Sequence, residues 1–357
     1  MPKLFESIQL RELSVKNRIW IAPMCQYSCE NKDGVPGSWQ ELHLASRAIG
    51  GAGLIIVEAS AVSPEGRITP WCTGIWNDEQ TKAWKKIVEL CHSHGTKMAM
   101  QLAHAGRKGS THRESSGVGT VPVSEGGWET VSSTMQAFGD YSAPRKLSVA
   151  EIAELVQAFG TAAKRSVEAG FDAVEIHGAH GYLLHQFLSP LSNDRDDEYG
   201  GSLENRARML MEVIAAIRSS VPETMPVFLR LSATDYADGG WDQEQTATVS
   251  GWATEKGVDL IDVSSGGLIT GVKIPSGPGY QVPLAEYVAD RISEPVSAVG
   301  QITDPQQAEQ ILQSGKVDVI LIARASLRDP YWPLRAAAEL DAQVQWPEQY
   351  SRGKWPS

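Results

Sequence analysis

The sequence lacks any long hydrophobic run, and it contains few cysteines. No apolar stretch approaches the roughly 18 residues that a membrane span requires, and the N-terminus, MPKLFE, has no apolar signal region. The four cysteines include no C-x-x-C pair, which excludes a dense disulfide scaffold and a zinc ribbon. We therefore expect a cytoplasmic protein with free thiols and no membrane partner.

Positive charge is also scarce. The 32 Lys and Arg residues against 43 Asp and Glu residues give a formal net charge of −11. Nucleic acids and anionic lipid surfaces both need a positive footprint, so neither is expected as the main partner. With 42% hydrophobic and 21% charged residues, the 357-residue chain has the composition of an ordinary folded protein.

What the chain does contain is an eightfold repeat of a short apolar run, a polar or Gly-rich loop and a segment of helical spacing. The runs are Arg18–Met24, Gly53–Ala59, Lys97–Leu102, Phe171–His177, Val227–Leu231, Asp259–Ser264, Pro295–Gly300 and Asp318–Ala323. Helical segments follow near 39–50, 78–94, 148–170, 203–219, 243–256, 283–292, from Asp304 onward, and 329–340. Runs that are apolar on both faces and separated by helices predict parallel strands buried on both sides.

Eight strands alternating with eight helices favour an α/β fold of the (β/α)8 TIM barrel type over a doubly wound open sheet. We interpret residues 1–357 as a single domain. The stretch at about 103–146 is too long for an ordinary loop, so we expect a capping excursion over the barrel mouth after the third strand.

Barrel enzymes place their chemistry at the carboxyl ends of the strands. Gly300 and Arg324 follow the seventh and eighth runs, where barrels often bind phosphate, and Gly266 and Gly267 strengthen that interpretation. The alternative is a tight turn and a surface arginine.

Arg230 lies inside the fifth apolar run. A guanidinium is costly to bury unless it faces an anion. Its partner could be a buried carboxylate such as Glu58 or Glu175. Alternatively, it could lie beside a ring that becomes negative on reduction.

The fourth run ends at His177, and His180 and Tyr182 follow it. An H-x-x-H pair could bind zinc, but zinc needs a third protein ligand and no strand end supplies an obvious one, so no metal site is predicted. The two rings could instead hold one carbonyl or nitro oxygen. Tyr182, whose ordinary pKa is about 10, would then donate a proton.

These strand-end residues resemble the old yellow enzyme family of flavin-dependent ene-reductases, and specifically its thermophilic-like bacterial class. The resemblance spans essentially the whole chain. Its most specific stretches are 22–27 (APMCQY), 101–108 (QLAHAGRK), 177–183 (HGAHGYL), 188–195 (LSPLSNDR) and 197–201 (DEYGG).

The resemblance implies non-covalently bound FMN, with NADPH or NADH as hydride donor, and ping-pong reduction of activated C=C bonds in enones, maleimides or nitroalkenes. The flavin ring would contact Ala22, Pro23, Met24, Cys25, Ala59, Gln101 and Arg230, and the phosphate would contact Gly300, Ala323 and Arg324. The substrate would contact Tyr27, His177, His180 and Tyr182, with Tyr182 as proton donor and Cys25 tuning the flavin potential.

The resemblance also implies a homodimer or homotetramer, in which Arg352 of the tail at about 341–357 enters a neighbouring subunit's site. Ala323 departs from the family pattern, because glycine often precedes the phosphate arginine. Three rivals remain: another FMN barrel such as a dihydroorotate or dihydrouridine reductase, a metal-dependent barrel hydrolase, and a non-catalytic phosphate-binding barrel.

Overall fold

The computed structural model describes residues 1–355, so the last two residues of the predicted tail lie outside the described residues. Eight parallel strands form the centre: β1 Ile19–Ile21, β2 Leu54–Ile56, β3 Lys97–Ala103, β4 Ala173–Gly178, β5 Val227–Ser232, β6 Leu260–Ser264, β7 Val296–Ala298 and β8 Val319–Ile322. Each strand pairs with the next, and β8 pairs with β1 in the register Ile320 to Ile19. The barrel is therefore closed, and the TIM barrel prediction is confirmed.

Eight helices surround the strands: α1 Ser38–Ile49, α2 Asp78–Ser93, α3 Val149–Glu168, α4 Leu203–Ser220, α5 Gln243–Glu255, α6 Val282–Ala289, α7 Pro305–Gln313 and α8 Trp332–Glu339. Helix starts follow local sequence signals. Ser148 accepts from the amide of Glu151 while the Glu151 carboxylate accepts from the amide of Ser148, and Asp304 caps α7 ahead of Pro305.

Two short helices, Leu183–Leu188 and Arg324–Arg328, follow β4 and β8. Single 3-10 turns cover Lys3–Phe5, Pro64–Gly66, Gly106–Lys108, Val123–Glu125 and Glu348–Gly353, and a two-residue strand Ser60–Ala61 extends the sheet. The short helices place additional backbone and side chains at the carboxyl ends of their strands.

An antiparallel hairpin of Ile8–Leu10 and Leu13–Val15 closes the other end of the barrel. Its alternate apolar side chains are buried in one cluster with Trp20 and Phe228, whose rings lie 5.4 Å apart. The sequence analysis did not predict this hairpin. Since the amino end is filled with apolar side chains, only the carboxyl end is left open for chemistry.

The predicted excursion folds over that open end. Its two short strands, Val131–Ser132 and Arg145–Lys146, pair with each other. Arg67 lies between the rings of Trp76 and Trp128, at 5.5 and 4.9 Å from their centroids. Such a cation–π contact fixes the excursion to the loop after β2.

The C-terminal tail runs along α8. Residues 343–349 line a cavity together with the carboxyl ends of α1 and α2 and the loops that precede β1 and β3, and Tyr350 packs edge-on against Tyr331. Within residues 1–355, no helix is both long enough and apolar enough to cross a membrane.

Candidate active site

Arg230 points into the barrel, and its partner differs from both carboxylates considered from sequence. Arg230 is aligned with His177 on β4 and with Asp262 on β6. Its Nε lies 3.1 Å from Asp262 Oδ2, and both side chains are almost fully buried. Asp262 is held in turn by the Ser297 hydroxyl, which donates to Oδ1 at 2.9 Å. The guanidinium is therefore in direct contact with Asp262 on β6, and Glu175 on β4 lies within range of its charge.

Gln101 and Glu175 form a second buried pair, in which the Gln101 amide donates to the Glu175 carboxyl at 2.7 Å. Burial raises the pKa of both Glu175 and Asp262, and the nearby Asp262 raises that of Glu175 further. Arg230 Nε and Glu175 Oε2 have no well-oriented hydrogen-bond partner within residues 1–355. The mouth of the barrel thus contains buried polar atoms with unused hydrogen-bonding capacity.

A cavity of about 410 Å³ extends from Arg230 to the ends of β7 and β8. Its lining includes Ser264, Gln281, Gly300, Ala323 and Arg324. Gly300 has a φ of +125°, a backbone conformation that glycine adopts readily. A Cβ at this position would also lie only 3.0 Å from the side-chain amide nitrogen of Gln281, so the available space favours glycine as well.

Ala323 has a φ of −100° and a ψ of −107°. Its φ is negative, so this position does not carry the positive-φ restriction seen at Gly300. Arg324 begins the short helix after β8 with its side chain exposed, where it is free to meet an anion.

Gly266 and Gly267, which the sequence analysis took as support for a phosphate site, are not among the residues that line this cavity. Gly267 has a φ of +91°, and a Cβ there would lie 2.8 Å from the Cα and carbonyl oxygen of His180. The glycine is needed because two loop backbones touch at this point.

His177, His180 and Tyr182 are brought together as predicted. The His177 ring meets the His180 and Tyr182 rings edge-on, at centroid distances of 5.1 and 5.0 Å. His177 Nδ1 accepts from the amide of Ala179 at 3.2 Å, which leaves Nε2 as the donor of a neutral ring. His180 Nε2 instead lies 2.7 Å from the Ser264 hydroxyl, a contact not anticipated from sequence.

The protonation states of these groups suit hydrogen-bond donation. Burial, followed by the charge of Arg230, holds the pKa values of His177 and His180 well below the ordinary value. Burial raises the pKa of Tyr182 well above its ordinary value. At neutral pH the imidazoles are therefore uncharged, and the phenol retains its proton.

Cys25 and Tyr27 lie on the loop after β1, and Tyr27 has a left-handed backbone with φ +50°. The Tyr27 and Cys25 side chains are close enough to affect each other's pKa. Burial raises the pKa of the Cys25 thiol well above its ordinary range, with added contributions from Cys72 and Glu58. A thiol held neutral in this way is a poor nucleophile.

Glu58 supports this loop from the segment that follows β2. Its carboxylate accepts from the amide of Gln26 at 3.0 Å and from the Gln40 side chain at 3.2 Å. Burial raises its pKa to about 7. The sequence analysis gave Glu58 only as a possible partner of Arg230.

The remaining predicted residues are placed as follows. Ala22 is buried, and its amide donates to the carbonyl of Ile322 at 3.1 Å. Pro23 and Met24 are half-buried after β1, and Ala59 is buried after β2.

Arg352 is exposed on the turn Glu348–Gly353 and is not among the residues that line the cavity of its own barrel. In residues 1–355, no group of three or more His, Cys, Asp and Glu side chains is arranged to hold a metal ion.

Asp262 is the residue that sequence reasoning missed at this site. The available signal was a charged residue in the middle of an apolar run, the same signal that identified Arg230. Two such residues on adjacent parallel strands can meet inside a barrel.

Known proteins with similar sequences and folds are oxidoreductases. Residues 3–343 match the NADH:flavin oxidoreductase / NADH oxidase family. The chain is 45% identical over 350 residues to the NADPH dehydrogenase of Geobacillus sp. (strain WCH70), covering 98% of each protein. It is 46% identical over 352 residues to the NADPH dehydrogenase of Bacillus subtilis (strain 168), covering 98% of this chain and 99% of that protein.

Among solved structures, morphinone reductase in complex with tetrahydroNAD has a similar fold. The TM-score is 0.78 at 29% sequence identity, and the match covers 98% of this chain and 93% of that one.

Proposed function

Since the chain belongs to the NADH:flavin oxidoreductase / NADH oxidase family, and with it to the old yellow enzymes, we propose that it is an ene-reductase for small activated alkenes. It is an oxidoreductase that uses FMN and a reduced nicotinamide. The observation that carries the proposal is one barrel mouth with two parts. The cavity from Arg230 to Arg324 suits an anionic cofactor, and beside it lie His177, His180 and Tyr182.

FMN fits the residues of this mouth. A flat ring with hydrogen-bonding edges would meet Gln101 and the guanidinium of Arg230, and a phosphate would meet the glycine backbone at Gly300 and the exposed Arg324. Met24 and Cys25 would contact the ring from the loop after β1, and Ala22, Pro23, Ala59 and Ala323 would line the same site. When bound, FMN supplies the hydride chemistry.

The side chains of the chain would polarise the substrate and deliver the proton. The Nε2–H of His177 donates to the carbonyl or nitro oxygen of an α,β-unsaturated substrate, withdrawing electron density from the C=C bond. His180 joins this contact once its ring leaves Ser264. Tyr182, held protonated by its buried surroundings, gives its proton to the substrate Cα.

Tyr27 would border the substrate, and Arg352 would complete the site from a second copy of the chain in a homodimer or homotetramer. The exposure of Arg352 and its position on a turn packed through Tyr350 against Tyr331 support this arrangement. Arg352→Ala should raise the KM for a cyclic enone while kcat for NADPH oxidation stays near the wild-type value. An unchanged KM would contradict the role.

The proposal is tested with purified yellow protein. Anaerobic NADPH or NADH should bleach the flavin, and 2-cyclohexenone, N-methylmaleimide or a nitroalkene should then restore the oxidised spectrum with one equivalent of saturated product. Bleaching without reoxidation by any of the three would support a different FMN reductase. A colourless protein that releases no FMN on denaturation would overturn both readings.

A further inference from the structure

Lys108 occupies an unusual position between the excursion and the candidate site. It ends the turn Gly106–Lys108 that follows β3. Its Nζ donates to the carbonyl oxygens of His180 and Gly267, each at 2.8 Å. Within residues 1–355, no carboxylate lies close enough to form a salt bridge with it. The ammonium thus retains its net charge next to the loop that carries His180 and Tyr182.

Two aromatic rings complete its surroundings. Nζ lies 4.5 Å from the ring centroid of Phe138 in the excursion and 5.0 Å from that of Tyr182. Rings at these distances attract a cation, and the attraction strengthens where water is excluded. Lys108 therefore connects three elements: the excursion, the loop after β4 and the loop after β6.

The two hydrogen bonds of Lys108 go to His180 and Gly267, and both residues have left-handed backbone conformations. His180 has a φ of +58°, and Gly267, the other acceptor, touches its backbone. A residue other than glycine in the left-handed region is maintained by its surroundings. The two hydrogen bonds from the Lys108 ammonium hold the His180 and Gly267 carbonyls next to each other. They thereby also restrain the loop between His180 and Tyr182.

We propose that Lys108 is a positioning residue for proton delivery: its ammonium fixes the Tyr182 ring and stabilises the phenolate that forms there when the substrate Cα is protonated. The inference rests on the proposed function. In this step the Tyr182 O–H bond breaks and its electron pair stays on the phenol oxygen. The electron pair that hydride addition at Cβ leaves on the substrate forms the new C–H bond at Cα. Water then reprotonates Tyr182. The charge of Lys108 favours the phenolate over the phenol, so it lowers the barrier of this step.

The other charged and titratable groups around Lys108 are Arg107 on the same turn, His177 on β4, His180 after that strand, and Tyr141, whose ring lies 5.4 Å from that of Phe138 in the excursion. Arg107 donates to the carbonyls of Leu268 and Gln136, at 2.9 and 3.2 Å, so it has separate partners. Burial, aided by Arg107, lowers the pKa of Lys108 to about 8. Lys108 is thus mostly charged at pH 7 and loses its charge within a range accessible to kinetics.

The test is a double-mutant cycle on single-turnover reoxidation of the reduced holoenzyme by 2-cyclohexenone, with NADPH reduction measured on the same samples. Lys108→Met should slow reoxidation about 30-fold, the value of one desolvated cation–π contact. In a Tyr182→Phe background, the same change should alter the rate less than about twofold, because no phenolate forms. Lys108→Arg should recover most of the rate. Lys32→Met is the matched control, since Lys32 lies 4.8 Å over the Trp71 ring away from these contacts.

Equal slowing by Lys108→Met in the wild-type and Tyr182→Phe backgrounds would overturn the proposal, since Lys108 would then act on packing alone. If Lys108→Met does not fold, the pH profile decides: wild-type reoxidation should decline above about pH 8, and Tyr182→Phe and Lys108→Arg should lack that decline. A decline shared by all three would also overturn it. A wild-type enzyme that is reduced by NADPH but not reoxidised by any enone would refute the proposed function instead.

Discussion

Replacing Gly267 with alanine tests whether the close approach of two loops sets the position of His180. Gly267 has a φ of +91°, and the added Cβ would lie 2.8 Å from the Cα and carbonyl oxygen of His180. Gly271, four residues later, has a φ of +79° with nothing within 4 Å of its added Cβ. Gly271→Ala therefore imposes the backbone penalty without the contact, and it serves as the matched control.

The magnitude follows from these distances. In both variants, alanine in the left-handed region lowers the free energy of unfolding by about 1 kcal/mol. Only in Gly267→Ala must a backbone contact open from 2.8 Å to at least 3.4 Å, which displaces His180 by about 0.6 Å. Because a misplacement of about 1 Å at a reacting centre can reduce a rate ~100-fold, we expect reoxidation by 2-cyclohexenone to slow about tenfold in Gly267→Ala.

The assay combines urea unfolding, titration of the flavin absorbance with para-chlorophenol as an oxygen-bearing ligand, and single-turnover reoxidation. Gly271→Ala should match the wild type in phenol Kd and reoxidation rate, whereas Gly267→Ala should be impaired in both and reduced normally by NADPH. If the two alanine variants have the same phenol affinity and the same reoxidation rate, the contact with His180 does not position the ring.

Three further substitutions probe other parts of the site. His177→Ala should retain FMN and weaken phenol binding about 10-fold or more, the value of a hydrogen bond in a buried site; an unchanged Kd in the flavin titration would contradict the oxygen contact. Cys25→Ala should shift the flavin midpoint potential while turnover persists, and an inactive enzyme with normal flavin would indicate covalent catalysis instead. Glu58→Gln should reduce the pH dependence of stability. The folded-state pKa of Glu58 is raised from 4.5 to about 7, so the folded protein keeps a proton that the unfolded chain releases, and the free energy of unfolding falls as pH rises across that interval. Urea unfolding at pH 5 and pH 8 measures this fall in the free energy of unfolding. An equal fall in the wild type and in Glu58→Gln would contradict the reasoning.

The barrel could be predicted from the sequence because strands buried on both faces leave continuous apolar runs, and all eight runs became strands. The hairpin within Ile8–Val15 could not, since strands of three residues are too short to show a period. The partner of Arg230 also escaped prediction. Asp262 and Glu175 are both charged residues in apolar runs, and only the relative register of adjacent strands decides which one meets the guanidinium.

At the site, residue identity was predictable and conformation was not. The spacing of His177, His180 and Tyr182 indicated one cluster, and the three rings do meet. The contact of His180 with Ser264 depends on a side-chain rotamer, and Gly267 serves a loop contact across two strands. Neither relation leaves a pattern along the chain.

The pairing of β8 with β1 has a consequence for how the protein folds. Arg18 donates to the carbonyl of Asp318, 300 residues away, and the amides of Lys3 and Leu4 bind the Glu309 carboxylate. During synthesis β1 emerges about 300 residues before β8, one of the two strands with which it pairs. Contacts of such large sequence separation form slowly because a long loop must close first. The mouth, which takes residues from both strands, is therefore completed at the end of folding, and flavin uptake would report the closure of the barrel.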